Sequence, residues 1–169
     1  MLDIIEDIKT DTNVSLLDFG CGTSSLYEYI SENKLSHITY SGLDISDKFI
    51  QACRNKFAGN QYYRLDIIEN HDTLPGFDYI IANGVFTEKL DLSFEEMWSF
   101  FTKVLEILFT KINKGLAFNV MSKHVDWERD DLFHVGLDKL AAFLTRKLSR
   151  NYVIRNDYGL YEYTTYLYK

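Results

Sequence analysis

The sequence predicts an α/β domain: a doubly wound, seven-stranded sheet, mostly parallel, with an antiparallel strand supplied by a C-terminal β-hairpin. Three observations predict it. Short apolar runs alternate with segments of helical period over most of the chain, the pattern of a parallel sheet with right-handed crossovers. The last two strand-like runs, NYVIRN and YEYTTYLYK, are joined by the short link DYGL with no helix between them. The final strand must therefore run antiparallel, at or near the sheet edge. A Gly-Cys-Gly turn directly follows the first apolar run, where a sheet of this kind binds its ligand.

Residues 1–10 read as a short amphipathic helix, and SLLDF (15–19) as a buried strand. Ser25 and Glu28 have the spacing of a capping box, and Leu26, Tyr27 and Ile30 give the helix that follows an apolar face to about residue 34. ITYSGLDI (38–45) is the second strand. Ser46 caps a helix carrying Phe49, Ile50, Cys53 and Phe57. QYYRLDI (61–67) is the third strand and FDYIIAN (77–83), after a Pro75-Gly76 turn, the fourth. Ser93 and Glu96 form a second capping box. It opens a helix with Phe94, Met97, Trp98, Phe101, Val104, Leu105, Leu108 and Ile112 at helical spacing, a stripe that belongs to the core. GLAFNVM (115–121) is the fifth strand. Leu137, Leu140, Ala141, Leu144 and Leu148 mark a last helix before the hairpin.

The bulk properties narrow the function. A chain of 169 residues, 46% hydrophobic, without repeat or linker, reads as one domain over residues 1–169. A net charge of −7 and a pI near 5.0 disfavour a nucleic-acid partner, which calls for a basic face. The densest basic segment, RKLSR (146–150), reads as a solvated helix face. No apolar run approaches the roughly 20 residues needed to span a bilayer, and the opening MLDIIEDIKTD is too polar for a signal peptide. Two cysteines, Cys21 and Cys53, without framework spacing suit a cytoplasmic protein. The four histidines show no metal-ligand spacing, so no metal site is expected. The aromatic share of 15% belongs first to the core, and second to a pocket for a planar or sugar-like ligand.

In LLDFGCGTSS (16–25) the glycines permit a sharp turn and close approach of a ligand to the backbone. Asp44 ends the second strand, where a carboxylate can accept from ribose hydroxyls. Asp66 ends the third, where it can accept from an adenine amino group, and Asn83 ends the fourth. Each alone reads as well as a turn former or a cap. A dinucleotide would bring a pyrophosphate to this turn, which Asp18 would repel. S-adenosylmethionine has no phosphate and two cationic centres, which an acid at 18 suits.

The succession LLDFGCGTSS, SGLDIS, YRLDI and FDYIIANGVF resembles the class I S-adenosylmethionine-dependent methyltransferases, with their Rossmann-like sheet and C-terminal hairpin, over roughly residues 14 to 169. The tail RNDYGLYEYTTYLYK is similar to a bacterial subgroup acting on small molecules. The resemblance implies that Asp18, Gly20, Cys21 and Gly22 hold the methionine part. It implies that Asp44 and Ile45 flank the ribose and adenine, Asp66 and Ile67 the adenine, and that Asn83 and Gly84 line the methyl group. The family pattern has a third glycine where this chain has Ser24, which leaves the path of that loop open.

Methyl transfer needs alignment and, for a hydroxyl acceptor, a base. Segments 83–89, 122–131 and 156–161 reach the carboxyl edge of the sheet in this topology. His124 is the first candidate for the base, because a histidine titrates near neutral pH; Glu88 and Asp126 are the reserves. Trp127, Tyr158 and Tyr161 are candidates for an acceptor wall. The expected function is O-methylation of a small-molecule acceptor, a sugar or related metabolite, by a monomer or homodimer. A non-catalytic methyltransferase-like subunit supporting a partner, favoured by an exposed ring-rich edge at YTTYLY, and a nicotinamide-dependent reductase are the alternatives.

Overall fold

The computed structural model describes residues 1–5 and 12–169. Half of the expected helix over 1–10 lies outside the described residues; Leu2–Ile4 form a 3-10 turn. The strands are β1 (Val14–Phe19), β2 (Ile38–Asp44), β3 (Gln61–Arg64), β4 (Phe77–Ala82), β5 (Ile112–Ser122), β6 (His134–Val135), β7 (Tyr152–Arg155) and β8 (Glu162–Tyr168). They form one sheet in the order β3-β2-β1-β4-β5-β8-β7, with β6 paired to β5. β1 to β5 are mutually parallel, and β8 runs antiparallel to both β5 and β7.

Among the described residues five α-helices connect them: α1 (Ser25–Glu32), α2 (Asp47–Lys56), α3 (Ile67–Asn70), α4 (Phe94–Lys111) and α5 (Leu137–Phe143), which continues as a π-helical turn over Leu144–Leu148. α1 and α2 bury Ile30, Ile50 and Cys53 against Leu16, Tyr40 and Ile81 on one sheet face. α4 and α5 bury Met97, Phe101, Leu105 and Leu140 against Leu17, Ile80, Phe118 and Tyr163 on the other. The change of face falls between β1 and β4, which makes their carboxyl ends the switch point of the sheet. Much of the aromatic content is core: Phe101 meets Phe86, Phe118 and Phe133 edge-on at 5.0–5.6 Å. Burying such a ring contributes about 2–3 kcal/mol.

Several local expectations change. The Ser25–Glu28 capping box does not form: Ser24 is the N-cap, its hydroxyl turns inward instead, and Glu28 pairs with Lys56. The third strand stops at Arg64 rather than 67, because Asp66 Oδ1 accepts from Ile68 N at 2.9 Å and starts α3. Ile112 opens β5 rather than closing α4, although its side chain still joins the same core. β6 adds an eighth strand; it pairs with β5 beyond the point where β4 ends. The ring-rich YTTYLY segment is not an exposed edge. β8 is inserted between β5 and β7, and Tyr163, Thr164, Thr165, Tyr166 and Leu167 are all buried. The Ser93–Glu96 capping box and the Ser46 cap form as expected.

Candidate active site

The first turn is built from backbone constraints. Gly20 and Cys21 donate their N–H groups to Leu43 O at 2.8 and 2.9 Å, folding the chain back across the end of β2. Gly20 has φ +72, and a Cβ there would stand 2.6 Å from Val85 Cγ2, so the glycine admits the loop after β4. Ser24, where the resemblance has glycine, holds φ +65. A non-glycine residue in that region costs about 1–2 kcal/mol. Its fully buried hydroxyl offsets this by bonding to Cys53 Sγ at 3.1 Å and Tyr62 Oη at 3.2 Å. The loop keeps the left-handed turn and replaces glycine's freedom with an anchor to α2 and β3. Asp44 ties the turn from the other side: Oδ2 accepts from Gly22 N at 3.0 Å and Oδ1 from Ser46 N at 2.8 Å.

These loops enclose a cavity of about 330 Å³ at the carboxyl ends of β1, β2 and β4. Gly20, Asp44, Ile45, Asp66, Ile67, Asn83 and Gly84 all line it, joined by Leu65, Val85 and Phe100. Its titratable lining residues are Asp44 and Asp66, both acidic. Asp18, Cys21 and Gly22 lie outside this lining. Asp18 is buried on the α1 side of the sheet, where Tyr40 Oη donates to its Oδ2 at 2.9 Å. Burial pushes its carboxyl up to about 7; the Tyr40 hydrogen bond opposes this, and Asp44 adds to it. Burial also raises the Cys21 thiol well above its usual range, so it is not a thiolate nucleophile.

Asn83 also lines a second cavity of about 470 Å³ on the α1 side, with Leu26, Tyr29, Ile81, Arg155, Tyr158 and Glu162 among its walls. Tyr158 Oη lies 2.9 Å from Thr164 Oγ1. Gly84 N donates to Asn119 Oδ1 at 2.8 Å, and Asn119 Nδ2 donates to Glu162 Oε2 at 2.7 Å, so the β4 end is tied to β8. A third cavity, about 190 Å³, is lined by Asp126, Trp127, Arg129, His134 and Tyr161, and Tyr161 Oη donates to Asp126 Oδ2 at 3.0 Å.

The expected acceptor wall is therefore split. Trp127 and Tyr161 share the third cavity with Asp126, whereas Tyr158 shares the second with Asn83. His124 and Glu88 line none of the three. Both are exposed; His124 N donates to Ser122 Oγ, and Glu88 bridges Leu132. Asn119, Glu162 and His134 are the residues that sequence reasoning missed. A lone asparagine inside the apolar run GLAFNVM was the available signal for the first, since a buried amide needs partners. His134 is buried, with Nδ1 2.6 Å from Ser122 O and Nε2 accepting from Arg129 N, so both ring nitrogens serve the loop.

The profile of a family described as a methyltransferase domain matches residues 17–108. The methyltransferase-like protein Rv1506c of Mycobacterium tuberculosis is 28% identical over 152 residues, covering 89% of this chain and 90% of that protein. Among solved structures, the plantazolicin methyltransferase BpumL, in complex with a triazolic desmethylPZN analog and S-adenosylhomocysteine, superposes with a TM-score of 0.71. It is 16% identical and covers 99% of this chain and 80% of its own. Magnesium protoporphyrin IX methyltransferase from Synechocystis PCC 6803, with bound S-adenosylmethionine, gives 0.67 at 14% identity over 98% and 74%. The matched span holds the Gly20–Gly22 turn, Asp44, Asp66 and Asn83; the chain belongs to the methyltransferase-domain family and shares the fold of methyltransferases solved with S-adenosylmethionine or S-adenosylhomocysteine bound.

Proposed function

We propose that the protein methylates a hydroxyl of a small-molecule acceptor, with S-adenosylmethionine in the cavity at the switch point. The observation that carries this is the joint lining of one cavity by Gly20, Asp44, Asp66 and Asn83, which come from four separate loops. Its walls fit the cofactor: Ile45, Ile67 and Phe100 suit a planar base, and the acidic lining suits a cationic ligand without phosphate. Asp44, held by two backbone N–H groups, accepts from the ribose hydroxyls with its remaining lone pairs. Asp66 does the same for the adenine amino group. Gly20, Cys21 and Gly22 bring backbone close to the methionine part, and Asp18 acts on its charge from beneath the turn.

The cofactor supplies a methyl group already activated by its sulfonium. The chain supplies alignment, which is the larger share of such a reaction. Asn83 and Gly84 line the transfer point, and the cavity that shares Asn83 admits the acceptor, with Tyr158 as its ring wall. His124 and Glu88 line neither of these cavities, and Asp126 belongs to a different one. Calorimetric titration with S-adenosylhomocysteine, with NADH in parallel, tests the reading. Micromolar binding of the first alone is expected; binding of NADH, or of neither, would sink it. A screen of hydroxyl compounds, beginning with sugars, then tests the acceptor class.

A further inference from the structure

The hydrogen-bonded chain from Gly84 ends on a carboxylate at the wall of the acceptor cavity. A backbone N–H can only donate, so the oxygen of Asn119 must face Gly84 and its amide nitrogen must face Glu162. Asn119 is 3% exposed, and both ends of its amide are engaged, so it cannot turn. It fixes one oxygen of Glu162. The cavity that Glu162 lines also holds Asp3 and Arg155, which pair with each other at 3.0 Å; Arg155 pairs with Asp157 as well. Among the described residues Glu162 is the carboxylate of this cavity without a cationic partner. Asn83 belongs to this cavity and to the cofactor cavity, so the fixed carboxylate lines a cavity that adjoins the cofactor cavity at Asn83.

We propose that Glu162 is the proton acceptor of the transfer and that Asn119 is its positioning residue; this rests on the methyl-transfer reading above. The acceptor hydroxyl donates to Glu162, which aims its oxygen lone pair at the methyl carbon. As the C–O bond forms, the C–S bond breaks and its electron pair stays on sulfur. The sulfonium becomes a neutral thioether, and the hydroxyl proton passes to the Glu162 carboxylate. No oxidant, reductant or metal enters the balance.

The test needs no knowledge of the acceptor. Sinefungin carries an ammonium group where S-adenosylmethionine carries its sulfonium methyl, and S-adenosylhomocysteine carries nothing there. A carboxylate facing the transfer point should make the protein bind sinefungin about tenfold or more tighter than S-adenosylhomocysteine at pH 8. In Glu162→Gln, whose amide oxygen can still accept from Asn119, that preference should vanish while affinity for S-adenosylhomocysteine stays. Glu162→Asp, which keeps the charge, should retain part of it. An equal preference in wild type and Glu162→Gln would overturn the proposal and leave Glu162 as a brace between β8 and the β4 end. The same holds if wild type binds both ligands equally. Failure of wild type to bind either ligand would overturn the cofactor reading, and this proposal with it.

Discussion

The cavity edge at Gly20–Ser24 and the loop edge at 122–131 and 155–161 are held by different kinds of contact. Around Gly20–Ser24 the anchors are backbone N–H groups and buried side chains: Asp44 on Gly22 and Ser46, Ser24 on Cys53 and Tyr62, Tyr40 on Asp18. Around 122–131 and 155–161 exposed pairs take a larger part, Arg129 with Asp131, Arg155 with Asp157 and Tyr161 with Asp126, beside one buried anchor, the His134 ring on Ser122 O and Arg129 N. Buried bonds resist loss because their partners would be left unsatisfied, whereas exposed pairs exchange with water at little cost. The difference teaches that the cavity edge is fixed chiefly by buried contacts, while the loop edge leans more on contacts that water can replace. The tie between Gly84, Asn119 and Glu162 is the point where the two edges meet.

The largest effect expected from breaking this contrast lies at Asp18. Its folded-state carboxyl titrates at about 7, raised by burial, against about 3.9 in an unfolded chain. The unfolded state then releases the proton first as pH rises. Stability of the unliganded protein should fall between about pH 4 and 7, by something on the order of 4 kcal/mol. Urea midpoints at pH 5 and pH 8 should show that drop in wild type and not in Asp18→Asn; equal slopes in the two proteins would contradict it.

Next comes Gly20→Ala, where the new Cβ meets Val85 and the backbone keeps a left-handed φ. A loss of about 2 kcal/mol or more is expected, with binding of S-adenosylhomocysteine abolished. Calorimetry together with thermal melting reads both. Asp44→Ala removes the proposed ribose acceptor and the brace on Gly22, and should weaken S-adenosylhomocysteine by about tenfold to a hundredfold with the fold intact. Unchanged affinity would remove Asp44 from the site. Ser24→Ala keeps the strained φ and loses two hydrogen bonds, a cost of about 1–2 kcal/mol visible as a lower melting temperature. The smallest effect should come from the loop edge. Asp126→Ala is expected to leave both melting temperature and cofactor affinity at wild-type values; a marked loss in either would erase the contrast between the two edges.

Residues that obey a local rule are legible in the sequence. The periodicity of α4 and the capping box at Ser93 depend on neighbours along the chain, and both form. The Gly20 turn and the acids at 44 and 66 are placed by strand ends, and strand ends are local as well. The same kind of local rule misled at Ser25, where burial of the Ser24 hydroxyl overrode the capping box, and at Asp66, whose capping of α3 ended the strand early.

The sequence by itself determined the order of seven strands and of α1, α2, α4 and α5, the turn after β1 and the acids around it, though not α3 or β6, because hydrophobic period and turn chemistry act over a few residues. The tertiary structure decided that β8 enters the sheet between β5 and β7, that Tyr158 and Tyr161 line different cavities, and that Asn119 joins Gly84 to Glu162. Those pairings link residues 35 and 43 positions apart. Nothing local specifies them; they follow from which strand pairs with β5, and that choice rests on burying a whole sheet face at once.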